Sequence, residues 1–157
     1  MRLRMSEGFL RALEYAKSVD VDVEFVYGLP RYAEHKGASW EASIPEPRRI
    51  LWADRRLDNL RACDLIHDVH HAVLWDLINS PPDFHQETEG MLALDHAAIR
   101  SCRLPWPAWV RTFYIGNGRW WDNDRRTLRR WLRESYQDAV HEGWMDKKHN
   151  PLLRRST

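Results

Sequence analysis

The segment RACDLIHDVHHAVLWD, residues 61–76, concentrates side chains that can ligate a metal ion or transfer a proton. Successive residues of a helix turn by about 100°. On such a helix, four ionisable side chains share an arc of about 100°: Asp64, His67, Asp68 and His71. His70 falls outside this arc and is predicted to face away from it. We therefore expect His67, Asp68 and His71 to open together into one cleft.

Two histidines at positions i and i+4 of a helix can ligate one ion, as in the His-Glu-x-x-His helix of zinc hydrolases. His67 and His71 have this spacing, and Asp68 takes the place of the glutamate with a shorter side chain. A carboxylate oxygen also suits a hard cation such as calcium. The sequence predicts a divalent metal site with His67, Asp68 and His71 as ligands, zinc being favoured over calcium. A solvated helix face carrying the same residues is the alternative.

A second cluster lies in EGMLALDHAAIRSC, residues 89–102, where Asp95 and His96 have apolar neighbours. A carboxylate in an apolar setting must pair with another group. His67 is an attractive partner, because a carboxylate within about 2.6–3.2 Å of one ring nitrogen orients an imidazole as a base or ligand. The candidate catalytic residues are therefore His67, Asp68 and Asp95, with His67 as the base. An Asp95 exposed to solvent is the alternative.

Hydrophobic periodicity predicts the elements that must position these side chains. Helical patterns run through residues 6–18, 57–78, 86–102, 106–115 and 124–142, and strand patterns through 21–27 and 50–53. The prolines and glycine of residues 31–48 favour a loop with room for one short strand. The expected fold is α+β, a mainly helical single domain over residues 1–157, with a small N-terminal strand pair packed on the central His-Asp helix. Residues 144–157 are expected to form a polar, frayed tail.

Composition disfavours two classes of partner. The chain has 157 residues and a formal net charge of +1, so it has no global field to attract nucleic acid or anionic lipid. The arginines within residues 125–133 are more typical of a solvated helix face than of a phosphate site. Nine tryptophans favour a core of large residues, with a ligand platform or a partner surface as alternatives. Neither a signal sequence nor an apolar run of roughly 20 residues is found, so we expect a cytoplasmic protein without a transmembrane segment.

Several short motifs occur in order along residues 37–115: Gly37-Ala38-Ser39, Ser43-Ile44-Pro45, Ile50-Leu51-Trp52, Ala62 with His67-Asp68, Asp95, and Leu104-Pro105-Trp106. This order resembles a small family of phage and prophage proteins of unassigned function. In that family a Ser-Val-Pro stretch precedes a helix with Ala and then His-Asp, and an acidic residue and a Pro-Trp segment follow. An aromatic residue commonly takes the place of His71. The resemblance implies a phage setting, either in the host cytoplasm or in the phage particle.

The His-Asp segment is also similar to phospholipase A2 enzymes, in which a cysteine and a His-Asp pair precede a distant aspartate. Cys63, His67-Asp68 and Asp95 match this order. The similarity implies that His67 is the base, Asp68 a calcium ligand and Asp95 the orienting carboxylate. The paired disulfides and the glycine-rich calcium loop of those enzymes have no counterpart in this sequence.

Two further similarities involve metal hydrolases. His-Asp phosphohydrolases are similar through Glu34-His35, His67-Asp68 and Asp124, although Pro45 and Pro47 interrupt the helix which that fold needs. The zincin helix is similar through His67-Asp68-x-x-His71, and this similarity implies Glu87 or Glu89 as a third ligand.

These observations predict a phage-type His-Asp hydrolase that carries out metal-assisted hydrolysis of an unidentified substrate, with His67 as base or ligand. The alternative is a non-catalytic phage virion or accessory protein whose tryptophans and arginine-rich faces contact a phage or host protein. Bound metal separates the two, because a structural part has no need of an ion.

Overall fold

The computed structural model describes residues 4–28, 42–75, 89–105 and 125–154. These residues form four helices and one three-stranded sheet, which confirms a mainly helical α+β domain. The elements are α1 (Glu7–Ser18), β1 (Asp22–Phe25), β2 (Ala42–Glu46), β3 (Arg49–Trp52), α2 (Asn59–Val73), α3 (Glu89–Ser101) and α4 (Arg125–His141). Helix α1 packs on α2, α2 on α3, and α3 on α4.

Helix α1 begins where the sequence predicts, because the Ser6 hydroxyl accepts a hydrogen bond from the Phe9 backbone N–H at 3.0 Å. Its buried face includes Phe9, Ala12 and Ala16. The Phe9 ring lies 5.7 Å from that of Trp52, centroid to centroid, which ties the helix to β3. The apolar stripe of α1 therefore faces the core beside α2.

The sheet has the order β1-β3-β2, with β1 parallel and β2 antiparallel to β3. The expected strand pair is β1 and β3, and β2 adds a third strand within the segment expected to be mostly loop. Pro45 is tolerated there because β2 is an edge strand, and its register shifts between Ser43 and Glu46. Strands β2 and β3 pack on α2, as predicted for the sheet and the His-Asp helix.

Asp58 caps the start of helix α2, because its carboxylate accepts a hydrogen bond from the Arg61 backbone N–H at 2.8 Å. The helix ends at Val73, short of the predicted end at residue 78. Residues 62–72 are all buried, because α1, α3 and the sheet surround the helix. A helix buried on every side has no solvated face. The expectation of an open cleft on α2 is therefore wrong, and its polar groups lie in the protein interior.

Residues 142–154, the described part of the chain after α4, are packed and do not form a frayed tail. Gly143, with φ of 77°, ends α4, and the Trp144 backbone N–H donates to the Ala139 carbonyl. The Trp144 ring then lies so close to α3 that a Cβ on Gly90 would come within 2.9 Å of it. Met145 and Leu153 are also buried. Three apolar residues in a mostly polar segment are enough to anchor it.

No helix within the described residues is long and apolar enough to cross a membrane. The helix predicted over residues 106–115 lies outside the described residues.

Candidate functional site

A single carboxylate joins α2 to α3 at the centre of the protein. One Asp95 oxygen lies 2.7 Å from His67 Nδ1, and the other lies 2.5 Å from His70 Nδ1. The predicted contact between Asp95 and His67 is thus confirmed in distance. The alternative of a solvent-exposed Asp95 is wrong, since its side chain is 2% exposed.

The prediction that His70 faces away from the cluster is wrong. Residues 67 and 70 are three apart and therefore lie on neighbouring positions of the helix surface. His67 lies at one edge of the predicted arc of ionisable residues. Helix α3 packs against this edge and places Asp95 between the His67 and His70 imidazoles. A His70→Ala change would remove a partner of Asp95, so it is no neutral control.

His67 and His71 form a close imidazole pair on one face of α2. Their Nε2 atoms are 3.1 Å apart, and the rings are nearly perpendicular with centroids 4.6 Å apart. The two residues are 1% and 3% exposed. The i and i+4 spacing therefore does bring both side chains into one environment, but this environment is the buried interior.

Helix α1 contributes Tyr15, which sequence reasoning missed. The Tyr15 hydroxyl lies 2.7 Å from His70 Nε2, and the two rings meet edge to face. Tyr15 lies two residues after Leu13, at the border of the apolar stripe of α1, so the sequence was compatible with a phenol directed into the interior. The sequence could not predict that its partner is His70, because 55 residues separate Tyr15 from His70 along the chain.

Neighbouring histidines keep the Asp95 carboxyl ionised. Burial by itself would raise the pKa of this carboxyl, but the adjacent His67 and the hydrogen bonds from His67 and His70 lower the pKa well below its usual range. An ionised carboxylate only accepts hydrogen bonds. Both Nδ1 atoms therefore carry hydrogen and donate to Asp95, and the Nε2 of a neutral His67 is a lone pair directed at His71.

The two other carboxylates of the predicted arc have different surroundings. Asp64 lies 3.3 Å from the Arg61 guanidinium, which also contacts Asp54 at 2.8 Å. Asp68 is fully buried. Within the described part of the chain, no group of three or more His, Cys, Asp or Glu side chains has a geometry that could hold a metal ion. The ligand set of His67, Asp68 and His71 thus stays a prediction, and the imidazole pair is the part whose spacing is measured.

The imidazole pair fits a metal ion in spacing and support. In a tetrahedral zinc site with Zn–N bonds of about 2.0–2.1 Å, two nitrogens are about 3.3 Å apart, close to the 3.1 Å observed here. Ligating histidines commonly donate their other N–H to a carboxylate, as His67 does to Asp95. The third ligand that the zincin similarity implies, Glu87 or Glu89, lies outside the described side chains. Glu34, His35 and Asp124, the matches to the His-Asp phosphohydrolases, also lie outside them.

A separate contact occupies the neighbouring position of α3. His96 Nδ1 lies 2.9 Å from the Tyr136 hydroxyl of α4. Burial, followed by the positive charge of Arg100, lowers the pKa of His96 to about 4. This imidazole is therefore neutral at pH 7, and it belongs to the interface between α3 and α4.

Comparisons of the chain with protein-family models, with curated proteins and with solved structures found no match.

Proposed function

We propose that this protein is a metal-assisted hydrolase whose centre is built on α2, with His67 and His71 as ligands of a divalent ion. The observation that carries the proposal is the distance of 3.1 Å between the two Nε2 atoms, combined with the contact of 2.7 Å between His67 Nδ1 and Asp95. Spacing and an orienting carboxylate together are typical of a ligating histidine.

The residues of the centre have distinct roles in this proposal. Asp95 holds the His67 ring in place and fixes its hydrogen on Nδ1. His71, one turn further along α2, places its Nε2 atom beside the Nε2 atom of His67. Burial of both imidazoles strengthens the electrostatic interactions within the centre. When bound, the ion would supply Lewis-acid activation of a hydrolysable group.

Zinc is favoured over calcium. Imidazole nitrogens suit zinc and similar borderline ions, whereas calcium takes about 6–8 oxygen ligands. Asp68, one residue from His67 and fully buried, is retained as the candidate third ligand. The resemblance to phage and prophage proteins supports a phage origin for this hydrolase.

Zinc binding tests the proposal. Metal-free protein is titrated with Zn²⁺ by calorimetry, and bound zinc is counted by elemental analysis. We expect one Zn²⁺ per chain for the wild type and binding weakened at least 100-fold in His67→Ala and in His71→Ala. The control is His141→Ala, which removes an exposed histidine from the last turn of α4.

Two results would contradict the proposal: a wild type that takes up no divalent ion, or a His141→Ala variant that loses zinc as the other two do. Without a metal ion, the buried cluster would be a structural tie between helices α1, α2 and α3. The non-catalytic virion or accessory function would then be the better supported one.

A further inference from the structure

A chain of hydrogen bonds links three helices through the site. It runs from the Tyr15 hydroxyl of α1 to His70 Nε2 at 2.7 Å, and from His70 Nδ1 to Asp95 at 2.5 Å. It continues from the other Asp95 oxygen to His67 Nδ1 at 2.7 Å and from His67 Nε2 to His71 at 3.1 Å. Each link joins groups that are distant in sequence or one turn apart on α2.

The hydrogens along this chain can be assigned from one end. Burial raises the pKa of the Tyr15 phenol far above its usual value, and the negative charge of Asp95 raises it further. The phenol therefore keeps its hydrogen. In the tautomer of His70 whose hydrogen lies on Nδ1 and is donated to Asp95, Nε2 carries a lone pair, and the phenol donates to it. Both ends of the carboxylate are thus supplied with donors.

We propose that Tyr15 and His70 are positioning residues that act through Asp95 on His67. They hold one carboxylate oxygen so that the other accepts from His67 Nδ1, which leaves the His67 Nε2 lone pair directed at His71. The use of this lone pair for metal binding rests on the proposed function, whereas the hydrogen assignment does not. In the metal-free protein, His71 donates to His67 through its Nε2–H.

The physical reason is the burial of Asp95. A buried carboxylate that loses one hydrogen-bond donor carries a large desolvation cost. It can lower that cost by turning toward the remaining donor, and this rotation changes the contact with His67 Nδ1. The hydrogen bond from Tyr15 to His70 opposes this rotation, so its effect reaches His67 through Asp95.

The experiment uses full-length, metal-free protein and long-range ¹H–¹⁵N spectra of the histidine rings, which distinguish N–H nitrogens from lone-pair nitrogens. We expect His67 and His70 to carry hydrogen on Nδ1 in the wild type. In Tyr15→Phe, which keeps the ring and removes the hydroxyl, we expect the His70 Nε2 and His67 Nδ1 resonances both to shift. The matched control is Tyr136→Phe, which removes a hydroxyl from His96 on the same helix as Asp95 and should shift neither.

Zinc affinity gives the second readout. We expect Tyr15→Phe to weaken Zn²⁺ binding by about 10-fold, the lower end of the range for residues that support a ligand, and Tyr136→Phe to leave it unchanged. The inference is overturned if wild-type His67 carries its hydrogen on Nε2, or if Tyr15→Phe leaves both the His67 resonance and the zinc affinity unchanged. A protein that takes up no zinc would contradict the proposed function alone, because the wild-type ring spectra need no metal and no variant.

Discussion

Asp95 and His96 are neighbours on α3, and each belongs to a cluster that contains a part-buried contact between a histidine and a tyrosine. On the Asp95 side, an ionised carboxylate stands between His67 and His70, with Tyr15 beyond. On the His96 side, the imidazole contacts the Tyr136 hydroxyl directly, and burial and the positive charge of Arg100 lower its pKa.

The difference between the two sides is one of charge sign. The carboxylate fixes the hydrogen on two imidazoles and leaves a lone pair at a defined place, which suits a ligand or a base. The cation and burial instead keep His96 neutral by lowering its pKa to about 4. Histidine and tyrosine thus contribute to an oriented imidazole lone pair on the Asp95 side of α3 and to a packing contact on the His96 side.

The largest expected effect follows from removing the carboxylate charge. In the wild type, the two Asp95 oxygens each accept from one buried imidazole N–H. The amide of Asp95→Asn has a single oxygen, so its NH₂ group faces one of these two N–H donors. We expect the free energy of unfolding to fall by about 3–5 kcal/mol, measured by urea denaturation. The control is Asp138→Asn, at an exposed position of α4, which should change stability by less than about 0.5 kcal/mol. A loss of less than about 1 kcal/mol for Asp95→Asn would contradict the central role of this carboxylate.

A smaller effect concerns the pH dependence of stability on the His96 side. The pKa of His96 falls from 6.5 to about 4 on folding, so the unfolded chain binds more protons between these values. Stability from this group is therefore present above about pH 6.5 and is lost as the pH falls toward 4. We expect a loss of about 2–3 kcal/mol over this window, measured by urea denaturation at several pH values.

The matched variant for that measurement is His96→Gln, which retains a polar side chain and removes the titrating group. We expect the decline in stability between pH 6.5 and 4 to be smaller in this variant by the same amount. An unchanged pH profile would show that His96 is not held neutral by its surroundings, and the contrast between the two sides of α3 would lose its electrostatic basis.

The contact between Asp95 and His67 could be predicted from the sequence for a physical reason. Asp95 lies among apolar residues, so it needed a partner, and His67 was available on the helix with the densest set of ionisable groups. Helical spacing also placed His71 beside His67. The role of His70 was missed because helical spacing gives the angle of a side chain but not the direction from which a second helix packs.

The fold, like the site, could be predicted in part from the sequence. Strong periodicity predicted α1, and the α+β class followed from the mixture of patterns. Strand β2 was weakly signalled because Pro45 is unfavourable in a strand unless it lies at an edge. The packing of Trp144 against Gly90 was not readable, since a contact between a segment that reads as a tail and a distant helix leaves no periodic pattern.

X-ray absorption at the zinc edge tests the proposed metal centre most directly. For the zinc-loaded wild type, we predict a spectrum with two imidazole ligands at about 2.0–2.1 Å. For His71→Ala, loaded with excess zinc, we predict at most one. A wild-type spectrum without imidazole scattering, or one that the loss of His71 leaves unchanged, would contradict a metal centre formed by His67 and His71.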